Sequence, residues 1–276
     1  MKIATVGKGG SGKTTIAGVL ARIFASRNQH ILAIDGDPNP NLALTLGMSR
    51  EDADRITYSP GSLMRRVEGA DGVITLELTQ SHDEVMAHYG HKAAKNVDLI
   101  VMGKPALGSA GTGCMCASHR AVRGLIAELT DIGEHTITDM EAGLEHLKRG
   151  TVRNVDLMLI VAEPYYRSLE AAMRTHELCQ ELEIPFIRVV ANKIRNDEDQ
   201  QAIESFCAQH GMTIIGVVPL DEELLEAERQ AKSPFDFSTQ GAAVTAIRTL
   251  ADAIGVLAGS RSDRMVGAAA ALTPEA

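Results

Sequence analysis

The sequence contains no tryptophan, and its few phenylalanines and tyrosines make up only 3% of the chain. Its core must therefore be aliphatic, built from Ile, Leu, Val, Ala and Met. With 45% hydrophobic residues over 276 positions, that material suffices for a large core. Cationic excess is missing too: 27 Lys and Arg stand against 36 Asp and Glu, for a formal net charge of −9. Counterion release on DNA and attraction to anionic lipid both favour the opposite sign, so neither a nucleic-acid nor a membrane partner is expected. Cysteine is scarce, at positions 114, 116, 179 and 207, and does not form the framework of a secreted disulfide-rich domain. No apolar run approaches the roughly 20 residues that span a bilayer. The first strand-like segment starts at Lys2 and leads straight into a glycine loop, which leaves no stretch for a signal peptide. A cytoplasmic protein is expected.

What is present is alternation. Short continuous apolar runs at 2–6, 31–34, 98–102, 135–138, 157–162, 187–191 and 213–218 read as buried strands. Between them, helical spacing recurs in Ile16, Val19, Leu20 and Ile23, and across 118–130, 167–182, 198–210 and 241–257. Strands without polar alternation, separated by helices, predict an α/β fold: a predominantly parallel sheet with helices on both faces. Ligands of such sheets lie outside the carboxyl ends of the strands. We expect one domain over 1–258, with 59–95 as a less regular peripheral insertion and 259–276 as a flexible tail.

The most specific motif is Gly7-Lys8-Gly9-Gly10-Ser11-Gly12-Lys13-Thr14-Thr15, which fits G-x-x-x-x-G-K-[ST] between a strand and a helix. Glycines let backbone N–H groups turn inward around phosphate oxygens, and the helix N-terminus adds positive potential. Lys13 is assigned to the β- and γ-phosphates, Thr14 to Mg²⁺ and Thr15 to the α-phosphate. ATP binding and hydrolysis follow as the expected activity of this P-loop NTPase.

A second lysine, Lys8, directly after the first glycine, resembles the deviant Walker A loop of the MinD, ParA and nitrogenase-iron-protein group of ATPases. That resemblance implies a homodimer in which two ATP are sandwiched and Lys8 reaches the partner's nucleotide. It further implies that Asp37, in Asp35-Gly36-Asp37-Pro38, positions the attacking water. Phosphoryl transfer needs an oriented water and neutralised charge, which agrees with that role. A helix N-cap followed by proline is the plainer reading of the same residues. Asp139, in Asp139-Met140-Glu141-Ala142-Gly143, resembles the switch II D-x-x-x-G element of that group. Asn192 resembles the family's adenine-binding asparagine and Pro219 the residue flanking the base. Arg195 stands where a guanine-binding N-K-x-D motif has Asp, so ATP is expected rather than GTP.

Cys114 and Cys116 form a C-x-C pair behind Gly111 and Gly113. Two thiolates supply half of a four-coordinate soft-metal shell, and a two-fold axis would supply the rest. Taken with the Val101-Met102-Gly103-Lys104 segment and the run from Asp139 to Leu147, the pair resembles the CooC-type accessory ATPases of nickel insertion into carbon monoxide dehydrogenase. This implies Ni²⁺ or Zn²⁺ at Cys114 and Cys116 across the dimer, with carbon monoxide dehydrogenase as client. Two other functions remain open: a positioning ATPase of the MinD or ParA kind, and a redox protein with a bridging iron–sulfur cluster. Against the latter, the switch II segment carries no Cys. His119 is read as an exposed helical residue, His82, His88 and His91 as a solvated segment, and Cys179 and Cys207 as packing residues.

Overall fold

The computed structural model describes residues 1–68, 74–102, 135–143 and 154–270. Eight strands form one sheet in the order β10-β9-β8-β1-β7-β2-β6-β5. They are β1 (Lys2–Gly7), β2 (Ile31–Asp35), β5 (His91–Ala94), β6 (Val97–Val101), β7 (His135–Asp139), β8 (Leu157–Ala162), β9 (Phe186–Ile194) and β10 (Ile214–Pro219). Every neighbouring pair is parallel except β5 with β6. Each expected strand is found within three residues of its expected ends.

The helices described are α1 (Lys13–Ser26), α2 (Leu42–Leu46), α3 (Arg50–Asp54), α4 (His82–Tyr89), α5 (Tyr166–Glu181), α6 (Asp197–Gln209), α7 (Glu222–Arg229), α8 (Pro234–Phe237) and α9 (Ala242–Ala270). The helix expected over 118–130 lies outside the described residues.

Alternate residues of each strand feed two aliphatic cores. Leu157, Leu159 and Val161 of β8 join Ile16, Leu20 and Phe24 of α1 and Val244, Ile247 and Ile254 of α9 on one face. Met158, Ile160 and Ala162 join Leu169 and Cys179 of α5 and Ile203 of α6 on the other. Both faces are covered, so the strands have no solvent side and carry no polar alternation. Burial pushes the Cys179 thiol up to about 12 and the Cys207 thiol up to about 11, which makes both inert packing residues as expected.

The stretch 59–95 is more ordered than its sequence suggests. It holds a separate antiparallel hairpin, β3 (Met64–Glu68) with β4 (Ile74–Leu78). It also holds α4, closed by a capping box between Ser81 and Glu84, and the edge strand β5. None of these short segments has enough period to be legible by pattern alone. His88 bonds within its own helix, to the Glu84 carbonyl, and His91 bonds to Thr57. No group of three or more metal-ligating side chains occurs among the described residues.

The stretch after Gly259, read as a tail, is helical as far as Ala270. The first eighteen residues of α9, Ala242–Gly259, are apolar enough by length and composition to cross a bilayer. Their inward stripe, however, is used in the core against β10 and α1.

Asp221 joins two helices at the carboxyl end of β10. Its Oδ1 accepts from the Glu223 N–H at the start of α7, and its Oδ2 accepts from the Ala243 N–H at the start of α9. Losing both caps through Asp221→Ala should cost about 1–2 kcal/mol, whereas Asp221→Asn, with a single acceptor oxygen, should keep one cap and lose the other, for about half that cost. Urea midpoints of both variants against wild type measure the loss, and midpoints equal to that of wild type would show that the caps do not matter.

Candidate functional site

α1 begins without a side-chain cap. Its N-cap is Gly12, at φ 96, and its first turn holds no acidic residue. By contrast α3, α4, α6 and α7 are each capped by a side chain. The first N–H groups of α1 thus stay open toward the loop of Gly7, Lys8, Gly9, Gly10 and Ser11, as an anion-binding turn requires. Gly12 needs its missing side chain twice, because a Cβ would strain the left-handed backbone and press into the Asn192 amide.

Within the loop, the buried Lys13 ammonium donates to the Lys8 carbonyl at 3.4 Å. The Lys8 side chain is exposed. Lys193, at φ 59 near the end of β9, reaches the Gly10 carbonyl at 2.5 Å and the Glu163 carboxylate at 3.1 Å. The Asn192 amide donates to the Ser11 carbonyl at 2.7 Å. The end of β9 therefore props the phosphate loop from behind. Asn192, assigned by resemblance to adenine, commits one of its amide hydrogens to this support.

Beneath the loop lie two buried carboxylates. Asp35 and Asp139 end the adjacent strands β2 and β7 and are partners in register. Asp139 accepts from the Thr14 hydroxyl at 2.5 Å and from the Thr5 hydroxyl at 3.0 Å. Asp35 accepts from the backbone N–H of Asp37 at 3.1 Å and of Leu42 at 2.9 Å. Burial raises the Asp35 carboxyl to about 7, with the Asp139 charge adding to the rise. Burial likewise raises Asp139 to about 6, opposed by its bonds to Thr14 and Thr5 and by the Lys13 charge. A Mg²⁺ ion would relieve this pent-up negative charge. The Thr14 hydroxyl beside Asp139 is a suitable oxygen donor set for it.

Asp37 sits half-buried in the loop after β2. Its Oδ1 accepts from the Asn39 N–H at 2.8 Å, a local turn. No helix starts there: α2 begins at Leu42 behind Asn41, so the N-cap reading of Asp37 is set aside. Gly143 takes φ 106, and among the described residues nothing lies within 4 Å of where its Cβ would stand. Residues 144–153, together with Cys114, Cys116 and His119, lie outside the described residues.

A cavity of about 490 Å³ opens beside α1. Gly10, Gly12, Lys13, Thr14 and Thr15 form its phosphate end, and Asn192, Val218, Pro219 and Leu220 form another wall. Asn192 and Pro219, both expected near the base, thus share this cavity with the loop. Sequence reasoning had assigned no role to Asp35, Thr5, Glu163 or Lys193. Asp35 carried a signal, as a carboxylate closing a wholly apolar strand. The others act through contacts that no spacing encodes.

A doubly covered parallel sheet with this loop at the end of its central strand defines a P-loop ATPase. Residues 2–235 match the CobQ/CobB/MinD/ParA nucleotide binding domain family, and the chain belongs to that family. Among its relatives is the carbon monoxide dehydrogenase accessory protein CooC of Rhodospirillum rubrum, 36% identical over 86% of this chain and 90% of that protein. An uncharacterized ATP-binding protein of Methanocaldococcus jannaschii is 35% identical over 88% of this chain and 93% of its own length. Among solved structures, the cell division ATPase MinD of Pyrococcus furiosus superposes with a TM-score of 0.67 at 20% identity. That superposition covers 93% of this chain and 98% of MinD, and at this identity it supports the fold alone.

The raised carboxyls have a consequence for stability without nucleotide or Mg²⁺. Their folded values lie above the unfolded value of 3.8, so the native state binds extra protons and loses stability as pH rises from about 4 toward about 7. His135 acts in the opposite sense: burial lowers it to about 4, so it costs stability as pH falls below 6.5. Comparison with Asp35→Asn isolates the carboxylate. The variant's stability relative to wild type, measured by denaturant titration, should climb between about pH 4 and about pH 7. A flat difference would mean that Asp35 titrates in the folded protein as it does in the unfolded chain.

Proposed function

We propose that this ATPase is a cytoplasmic, homodimeric maturation factor that delivers nickel to carbon monoxide dehydrogenase. The observation that carries this reading is the 36% identity to CooC over most of both chains, combined with the Cys114-Met115-Cys116 segment. In this reading Cys114 and Cys116 hold Ni²⁺, or Zn²⁺ in its place, with the same pair from a second copy completing four ligands. The exposed Lys8 side chain is suited to reach a nucleotide held by that copy.

Hydrolysis follows from the residues around the loop. Lys13 and the uncapped first turn of α1 hold the β- and γ-phosphates, and Thr15 meets the α-phosphate. Thr14, backed by Asp139, holds Mg²⁺, which when bound neutralises phosphate charge. Asp37 orients a water toward the γ-phosphorus, whose bond to the β–γ bridging oxygen breaks to leave ADP and phosphate. Asn192 and Pro219 bracket the adenine. In this reading the Asp139 to Gly143 segment reports γ-phosphate loss to the Cys loop.

Lys13→Ala should reduce hydrolysis to below about 1% of wild type. Asp37→Ala should bind ATP within about threefold of wild type yet turn over about a hundredfold more slowly. Normal turnover by the Asp37 variant would assign the water to another group. For the metal, the dimer with ATP should hold about one Ni²⁺ or Zn²⁺ per two chains, and Cys114→Ser/Cys116→Ser should hold none. Unchanged metal content in that double variant removes the metal-delivery reading. A visible absorption band after anaerobic preparation would point instead to an iron–sulfur cluster.

A further inference from the structure

Two walls of the nucleotide cavity lie outside both the phosphate loop and the sheet. One is Asn41, Leu44 and Thr45, on and before α2. The other runs through α7 to the start of α8, including Glu228, Lys232 and Pro234. These segments are far apart in sequence, and a single side chain of α1 joins them. Arg22 donates from Nη1 and Nη2 to the two carboxylate oxygens of Asp236 on α8, at 2.8 and 2.6 Å. Its Nη1 also donates to the carbonyl of Leu46, the last residue of α2, at 2.5 Å. The same guanidinium lies 4.9 Å from the centre of the Phe235 ring.

The junction is built around a glycine. Gly47 ends α2 at φ 105, and a Cβ there would press into both Arg22 Nη1 and Asp236 Oδ2. The far end of the α2 wall is tied as well, through the Leu42 N–H to Asp35. α1 itself starts at the phosphate-binding turn and carries Arg22 about two and a half turns further on. The clasp therefore references both walls to the helix that holds the phosphates.

We infer that the Arg22–Asp236 clasp sets the width of the nucleotide cavity, which makes Arg22 and Asp236 positioning residues for ATP. Neither is among the residues lining the cavity. Arg22 is mostly covered, at 16%, but Asp236 is half exposed, at 53%, so water screens the pair through its carboxylate and limits its contribution to folding stability. A bidentate guanidinium–carboxylate fork, by contrast, fixes geometry, and walls held in place before binding spare the nucleotide the cost of ordering them. The effect belongs in ATP affinity rather than in the melting temperature or the chemical step.

The inference rests only on ATP occupying this cavity. Its readout is nucleotide affinity, so its failure leaves the metal-delivery reading intact. ATP binding by calorimetry and steady-state hydrolysis are measured on the full chain. Asp236→Asn should raise both Kd and KM for ATP about fivefold, with kcat within about twofold and the fold intact by circular dichroism. Arg22→Lys, which keeps the charge but loses the fork, should fall between wild type and Asp236→Asn. Gly47→Ala, which spreads the pair without removing either charge, should weaken ATP in the same way. ATP binding by Asp236→Asn within about twofold of wild type overturns the inference, as does a fall in kcat at unchanged KM.

Discussion

Two acidic side chains, Asp35 and Asp139, end neighbouring strands with no water to solvate them, and the remaining parts of the site are arranged to satisfy them. Asp139 takes hydroxyl hydrogens from Thr14 on the phosphate-loop helix and from Thr5 on the central strand. Asp35 takes the backbone N–H groups that open the Asp37 turn and start α2. The backbone around them is shared too, since the Gly36 N–H donates to the Asp139 carbonyl and the Met102 N–H to the Asp35 carbonyl. A buried carboxylate without such donors would be costly. The requirement thus ties β1, β2, β6, β7, α1 and α2 together at one end of the sheet, where a Mg²⁺ ion would supply positive charge.

The opposite side of the loop is held by cations and amides instead. Lys193 and Asn192 bond the carbonyls of Gly10 and Ser11, and Glu163 balances the lysine. The loop is thereby fixed from the ends of β8 and β9 on one side and, through Thr14 and Asp139, from β7 on the other, and within it the Ser11 N–H closes a turn onto the Lys8 carbonyl. The parts of the site that hold charge are thus tied down on both sides by hydrogen bonds. The Arg22 junction extends the same logic outward, joining the cavity's outer walls to the helix that carries the loop.

Much of this was legible beforehand. Seven strands of the main sheet read correctly as apolar runs because both faces of the sheet are covered, and α1, α5 and α6 read correctly from their periodicity. The edge strand β5 and the hairpin of β3 and β4 did not, because four- and five-residue strands on the periphery carry no period. α9 was recognised but runs further than expected, to Ala270, and Ala, Arg and Met beyond Gly259 favour helix. In the site, the loop from Gly7 to Thr15, the position of Asp37 after β2 and that of Asp139 after β7 could be placed from motif and context. Asn192 was placed at the right strand end, but its bond to the Ser11 carbonyl was not foreseen.

The sequence by itself determined the phosphate loop, because that loop is local: nine consecutive residues dictate its turn, its charge and the helix it opens. It likewise determined the parallel sheet, because burial on two faces writes itself into each strand separately. Only the tertiary structure decided which distant groups meet, such as Asp35 beside Asp139 across a strand ladder or Arg22 on Asp236 across 214 positions of chain. Those pairings follow from how helices and strands pack in three dimensions, and neither periodicity nor spacing along the chain records that packing.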